Sequence, residues 1–141
     1  MKKLDSSLYK KKIENPNETV YEIITTEDNL GWGLAIADIG KSELHYHKKT
    51  KEFYLVLEGG LKVILDGRTH VILKSEGIEI PAGVKHKAKS ANGNRARIAA
   101  FSFPAWTPED HIRLNPYGLA HLSGAKSSSA YLRGSIKVIP L

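Results

Sequence analysis

A chain of 141 residues, 41% hydrophobic and 26% charged, has the length and composition of one globular domain, long enough to bury a core and too short for two. It contains no cysteine, which excludes disulfides, thiolate metal sites, iron–sulfur clusters and a cysteine nucleophile, and no apolar run approaches the roughly eighteen residues of a membrane span. The formal net charge of +6 raises the question of nucleic acid or acidic ligands, which the placement of the lysines has to answer.

In chain order, Met1-Lys2-Lys3 is followed by polar residues, so no secretory signal is expected and the location is read as cytoplasmic. Residues 1–19 are lysine-rich and broken by Asn15-Pro16-Asn17; they read as a loose N-terminal arm that rests on the domain. Residues 20–25 (VYEIIT) form the first expected strand. After the turn at Glu27-Asp28-Asn29, residues 32–39 form the second, with Trp32, Leu34 and Ile36 on one face, and Gly40 ends it. Residues 43–47 follow as a strand, and a hairpin over 48–51 leads into 53–58, which closes at Gly59-Gly60. Residues 61–65 and 69–73 flank Asp66-Gly67, a hairpin signal because both central positions tolerate positive φ. Glu76-Gly77 leads to 78–80, and residues 96–103 form the last strand of the domain, with ambiguous parity. Thr107-Pro108-Glu109-Asp110 has the threonine, proline and acids of a helix start, so a brief helix to about Arg113 is expected. Asn115-Pro116-Tyr117-Gly118 breaks it, residues 123–130 form a small-residue linker, and 135–139 form a terminal strand added to its own sheet or to a neighbour's edge. Many short strands at regular turns predict an all-β, single-domain barrel or jelly roll, divided as an arm at 1–19, a barrel at 20–104 and a helix/strand extension at 105–141.

The chemistry concentrates in His45-Tyr46-His47-Lys48-Lys49-Thr50-Lys51-Glu52 and in His86. On a strand, the two-residue period points His45 and His47 to one face with Cα atoms roughly 6.5 Å apart. The expected hairpin returns the Glu52 carboxylate beside them. His86 follows Ile80-Pro81-Ala82-Gly83-Val84-Lys85, a strand end and a turn, and heads a further strand. Three imidazoles and one carboxylate suit one divalent transition metal such as Mn, Fe, Co, Ni, Cu or Zn. Lys85, Lys87 and Lys89 alternate with His86, Ala88 and Ser90, so a strand that turns His86 inward turns the lysines out as a solvated face. No nucleic-acid partner is expected. His70, His111 and His121 lack partners at ligand spacing and read as surface or hydrogen-bonding residues. Tyr54 shares the parity of Glu52 and is the candidate catalytic residue, placed to orient a substrate.

Gly40, His45, His47, Glu52 and Gly59, then Pro81, Gly83 and His86, resemble the two motifs of the cupin superfamily, G-x5-H-x-H-x3–4-E-x6-G and G-x5-P-x-G-x2-H-x3-N. Three positions depart from them: four residues separate Gly40 from His45, Ser75 stands where the second motif opens with glycine, and Ser90 replaces its final asparagine. None is a ligand position in that family. The motifs cover residues 40–90, and the flanking strands extend the resemblance to roughly 20–104. The resemblance implies a cupin-like jelly roll with its ligands projecting into the barrel, and it points to a homodimer. It also spans dioxygenases, decarboxylases, isomerases, lyases and non-enzymatic binding proteins, so fold and ligands do not choose a reaction. The expected function is a metal-dependent enzyme acting on a small polar oxygen-bearing metabolite; the alternative is a non-catalytic binding or sensor cupin.

Overall fold

The computed structural model describes residues 1–115 and 138–140. Twelve strands appear among them, numbered in chain order as β1 (Lys11–Glu14), β2 (Glu18–Ile24), β3 (Gly33–Ile39), β4 (His45–Tyr46), β5 (Lys51–Glu58), β6 (Gly60–Leu65), β7 (Arg68–Leu73), β8 (Glu76–Ile80), β9 (His86–Ser90), β10 (Ala96–Phe103), β11 (Ile112–Arg113) and β12 (Val138–Pro140). They form two antiparallel sheets, one in the order β1-β2-β3-β10-β5-β8-β12 and the other in the order β11-β4-β9-β6-β7. Ile39, Val56, Ile78, Ile80 and Ile98 from the first sheet meet Leu61, Val63, Leu65 and Ile72 from the second in one continuous core. The chain folds as the expected all-β jelly roll.

Local sequence explains much of this frame. In β5 every second residue is buried from Glu52 to Val56, as a strand with one face on a core requires. Asp66 and Gly67 both take positive φ, at 48° and 80°, and close the β6–β7 hairpin. Lys87 and Lys89 are exposed while His86 and Ala88 are buried, which places the lysines outside. The ambiguity of β10 has a cause: its register against β5 shifts between Arg97 and Ile98, and a bulge of this kind interrupts alternation. Beyond it, Ile98 and Ala100 pack on the core, and Phe101 and Phe103 face outward with Phe101 against Trp32 and Phe53.

Several expectations need correction. Residues 11–14 are not part of a loose arm: β1 pairs with β2 from Lys11↔Glu22 to Glu14↔Thr19, and Tyr9 packs on Tyr21. Further back, the Lys2 carbonyl accepts from Arg97, which is itself held by Asp38 in a two-pronged ion pair of 2.7 and 2.9 Å. The turn before β8 lies at Ser75, with φ 68°, one residue ahead of Glu76-Gly77. No helix runs to Arg113: Pro108–Asp110 is a single 3-10 turn, after which β11 pairs with β4. Asp110, one of the acids that signal a helix start, serves tertiary contacts instead. Finally, the strand bearing His45 and the strand bearing Glu52 are not a hairpin, since β4 and β5 belong to different sheets. Of the terminal strand expected at 135–139, residues 138 and 139 fall in β12, which pairs with β8 of its own chain, whereas residues 135–137, the segment 123–130 and His121 lie outside the described residues.

Candidate metal centre

His45, His47, Glu52 and His86 come together, all four buried, with one donor atom from each lying within 4.8 Å of the others. Each arrives by a different local device. His45 lies in β4 directly opposite His86 in β9. His47 lies just past β4, where the chain leaves one sheet for the other. Glu52 comes from β5, across the core. His86 follows the Pro81-Ala82-Gly83 turn, where Gly83 has φ 85°, a conformation open to glycine, and donates its N–H to the His47 carbonyl at 2.6 Å. The second motif's turn is thereby tied to the first motif's ligand.

The connection over residues 48–50 is held by a residue that sequence reasoning did not single out. The Asp110 carboxylate accepts from the backbone N–H groups of Lys48 at 2.9 Å, Lys49 at 3.1 and 3.2 Å, and Thr50 at 3.0 Å. Burial acts to raise the Asp110 pKa, but the donors at Thr50, Lys49 and Lys48 outweigh it and hold the carboxyl below its ordinary range. Asp110 also presents its carbonyl to His47 Nδ1 at 3.0 Å.

That last contact belongs to a common pattern. His45 Nδ1 faces the Glu43 carbonyl at 2.7 Å and His86 Nδ1 faces the Val84 carbonyl at 2.8 Å. A carbonyl only accepts, so each Nδ1 must carry the proton, and in each neutral ring Nε2 is left with a lone pair. These lone pairs converge on Glu52 Oε1, 3.0 Å from His47 Nε2 and 3.1 Å from His86 Nε2. His47 Nε2 is near enough for charge attraction but badly angled, and it lacks a satisfactory hydrogen-bond partner. Lone pairs and a carboxylate that face one another in a buried space repel unless a cation, a proton or a metal ion, lies between them. The residues therefore fit a divalent transition metal by geometry and by donor chemistry.

A proton on Nε2 reverses the sign of these contacts: burial opposes ionisation of Glu52, yet hydrogen bonds and charge attraction from His47 and His86 in that form hold its carboxyl well below the usual range. Burial also opposes charging of His47, but Glu52 raises its pKa overall. His45 is pushed well below the ordinary histidine value, first by burial and then by repulsion from His86 and His111. Tyr54 is buried and donates its hydroxyl to Glu52 Oε1 at 3.4 Å; burial, and then the Glu52 charge, push the phenol well above its usual pKa, so it stays protonated.

Of the three histidines read as surface or hydrogen-bonding residues, His111 hydrogen-bonds to Trp106 and also packs on the cluster. It is half-buried at the cluster, its ring parallel to His45 at 4.2 Å and edge-on to His47 at 5.2 Å. Burial, then the charge of His47, lower its pKa to about 4. No local spacing marks it; the adjacent acid and Trp106 five residues earlier are the signals available.

A cupin-domain family profile matches residues 37–102, a span that holds all four donors. Over 96 residues the chain is 29% identical to quercetin 2,3-dioxygenase of Bacillus subtilis, covering 62% of this chain and 28% of that protein. Over 68 residues it is 40% identical to the Streptomyces cyaneus protein named polyketide synthase CurC, covering 47% of this chain and 44% of that one. The chain thus spans less than half the length of these two curated relatives. Among solved structures, a variant of oxalate decarboxylase from Bacillus subtilis superimposes with a TM-score of 0.65 over 74% of this chain and 30% of that one at 15% identity, a likeness of fold. The ordered motifs of residues 40–90, the two-sheet jelly roll and the profile match agree in likening this chain to the cupin superfamily.

Proposed function

We propose that this chain is a metal-dependent cupin enzyme acting on a small polar oxygen-bearing metabolite, a sugar, hydroxy-ketone or carboxylate, by dioxygenase, isomerase or lyase chemistry. His45, His47, Glu52 and His86 would hold one divalent ion. The observation that carries this reading is the convergence of imidazole lone pairs, each set by a backbone carbonyl at Nδ1, on one buried carboxylate. When bound, a divalent transition ion at four protein donors supplies Lewis acidity, or dioxygen activation if it is redox-active, at its remaining positions.

The chain's own residues do the rest. The carbonyls of Glu43, Val84 and Asp110 fix the imidazole orientations. Tyr54, protonated and 3.4 Å from Glu52 Oε1, is assigned to orient a ligand and to supply a hydrogen bond at that carboxylate. It is the polar group beside the donors that favours turnover over simple capture. The second reading, a binding or sensor cupin, is favoured by one specific fact: Asp110, the other acid at the cluster, uses both carboxylate oxygens on backbone N–H groups and is not free to act as a base.

Elemental analysis after reloading with Mn, Fe, Co, Ni, Cu and Zn in turn tests the metal. About one equivalent per chain is expected, strongly reduced in His86→Ala. Uptake below roughly a tenth of an equivalent with all six refutes the reading. Screening carboxylates, diols, enediols and hydroxy-ketones for binding and turnover, against His47→Ala, separates the enzyme from the sensor. We also propose a homodimer, supported by the exposed Phe103 and half-buried Phe53 and Phe101 on the outer face of the first sheet; a concentration-independent monomer mass by light scattering would exclude it.

A further inference from the structure

His111 is built to the opposite hydrogen-bonding pattern from the three candidate metal ligands. Each of those directs Nδ1–H at a carbonyl and keeps a lone pair on Nε2. At His111 the indole Nε1–H of Trp106 donates to Nδ1 at 3.2 Å. An indole nitrogen only donates, so Nδ1 holds the lone pair and the neutral ring carries its proton on Nε2. With Nδ1 engaged and Nε2 protonated, neither nitrogen is free to ligate. No acceptor among the described residues faces Nε2–H, and the ring lies parallel to His45 at 4.2 Å and edge-on to His47 at 5.2 Å.

The backbone explains why the ring is there. His111 N–H donates to the Pro108 carbonyl at 3.2 Å, closing the 3-10 turn, and β11 begins at the next residue. The same turn delivers the Asp110 carbonyl to His47 Nδ1 and the Asp110 carboxylate to residues 48–50. One short segment outside the family-matched span therefore fixes a ligand's orientation and sets a further imidazole against the same cluster.

We infer that His111 donates a hydrogen bond from Nε2–H to the ligand held at the metal cluster, and that the site thereby selects ligands bearing an acceptor oxygen, carboxylates foremost. Trp106 is the positioning residue that fixes the tautomer. The inference rests on the metal reading above and adds the ligand class to it. A ligand with one oxygen on the ion and a second on Nε2–H is held at two points, as a carboxylate or an α-hydroxy-carbonyl compound allows. A ligand with a single donor atom gains nothing from His111.

Two measurements test it. Long-range proton–nitrogen NMR correlation of the histidine rings is expected to show His111 protonated at Nε2 alone in the wild type and a tautomer mixture in Trp106→Phe. Observation of His111 protonated at Nδ1 in the wild type overturns the inference, with or without metal. The second measurement is acetate binding to the Co(II)-loaded full chain, followed by the metal's absorbance. His111→Phe keeps a ring on His45 and removes the donor, so acetate is expected to bind about tenfold more weakly while Co(II) affinity stays within about threefold. His111→Gln, which restores an N–H, should recover part of the loss. Equal acetate affinity in wild type and His111→Phe overturns the inference alone, as does a His111→Phe protein that loses its Co(II). A wild type that takes up no metal overturns the metal reading, and the inference with it.

Discussion

Replacing Asp110 with alanine is expected to weaken both the fold and the metal site, because one carboxylate holds the crossing between the two sheets. It accepts from the N–H groups of three successive residues. Lys48 and Lys49 are exposed, so water replaces the carboxylate there and each loss is worth only about 0.5 kcal/mol. Thr50 is 2% exposed, and its N–H would be left buried without an acceptor, at about 1–3 kcal/mol. The sum is roughly 2–4 kcal/mol of unfolding free energy. Asn is a poor rescue, since its amide must turn an NH2 toward one of the N–H groups that a carboxylate accepts on both sides. The same substitution frees the turn whose carbonyl orients His47, and metal affinity should fall by roughly ten- to a hundredfold, the usual consequence of losing support behind a ligand. Equilibrium urea unfolding measures the first effect and competition with a coloured chelator the second. A loss below about 0.5 kcal/mol with unchanged metal affinity would refute the assignment of Asp110 as the holder of this crossing.

Three further outcomes are expected. The Asp110 carboxyl lies below the ordinary aspartate value of 3.8 in the folded protein, so its stabilisation is complete above that value and is lost as pH falls through the lowered folded one; the stability gap between wild type and Asp110→Asn should be full at neutral pH and shrink on acidification, and a gap unchanged at the lowest pH where both still fold would show that the charge is not its source. Lys89 is flanked across the sheet by Lys62 on one side and Lys41 on the other, and among the described residues no ion pair engages any of the three, so Lys62→Glu should stabilise the protein by about 0.2–1 kcal/mol in low salt and by less in concentrated salt, whereas a salt-independent or destabilising effect contradicts the charge argument. Gly77 lies beneath Phe53, and an added methyl would stand 2.3 Å from Phe53 Cζ and 3.1 Å from the Tyr54 carbonyl oxygen; Gly77→Ala should cost about 1–3 kcal/mol, less in a Phe53→Ala background, and additive effects of the two changes would show that the ring is not the obstacle.

What could be read from the sequence, and what could not, divides along the reach of the interactions. The His45–His47 spacing, the Asp66-Gly67 turn and the outward Lys87 and Lys89 depend on dihedral period and turn chemistry within a few residues, and each carries its own signal. The crossing at residues 48–50 carries no such signal. A short polar segment between two strands has the composition of a hairpin loop whether it reverses within a sheet or passes between sheets; here the choice is stabilised by Asp110, some sixty residues later in the chain. The Thr107-Pro108-Glu109-Asp110 start signal is ambiguous for the same reason, because acids that suit a helix N-terminus also suit exposed backbone N–H groups elsewhere. In this chain Asp110 meets the N–H groups of residues 48–50, and the helix stops after one turn.

His111 shows why the centre exceeds its motif. The four donors lie in segments whose spacing is set by strand period and turn length, so a linear pattern records them. The groups that orient those donors do not obey such a constraint: the carbonyls of Glu43 and Val84 are backbone atoms without sequence identity, and the Asp110–His111 pair lies after β10, outside both motifs. A segment that lies outside the motif yet touches its donors is suited to set which ligands the site accepts. In this protein that segment supplies an aromatic N–H, a carbonyl, a carboxylate and an imidazole within six residues of chain, from Trp106 to His111. Selectivity among oxygen ligands should therefore follow changes at Trp106 and His111, and occupancy by metal should follow changes at His45, His47, Glu52 and His86 and, through His47, at Asp110.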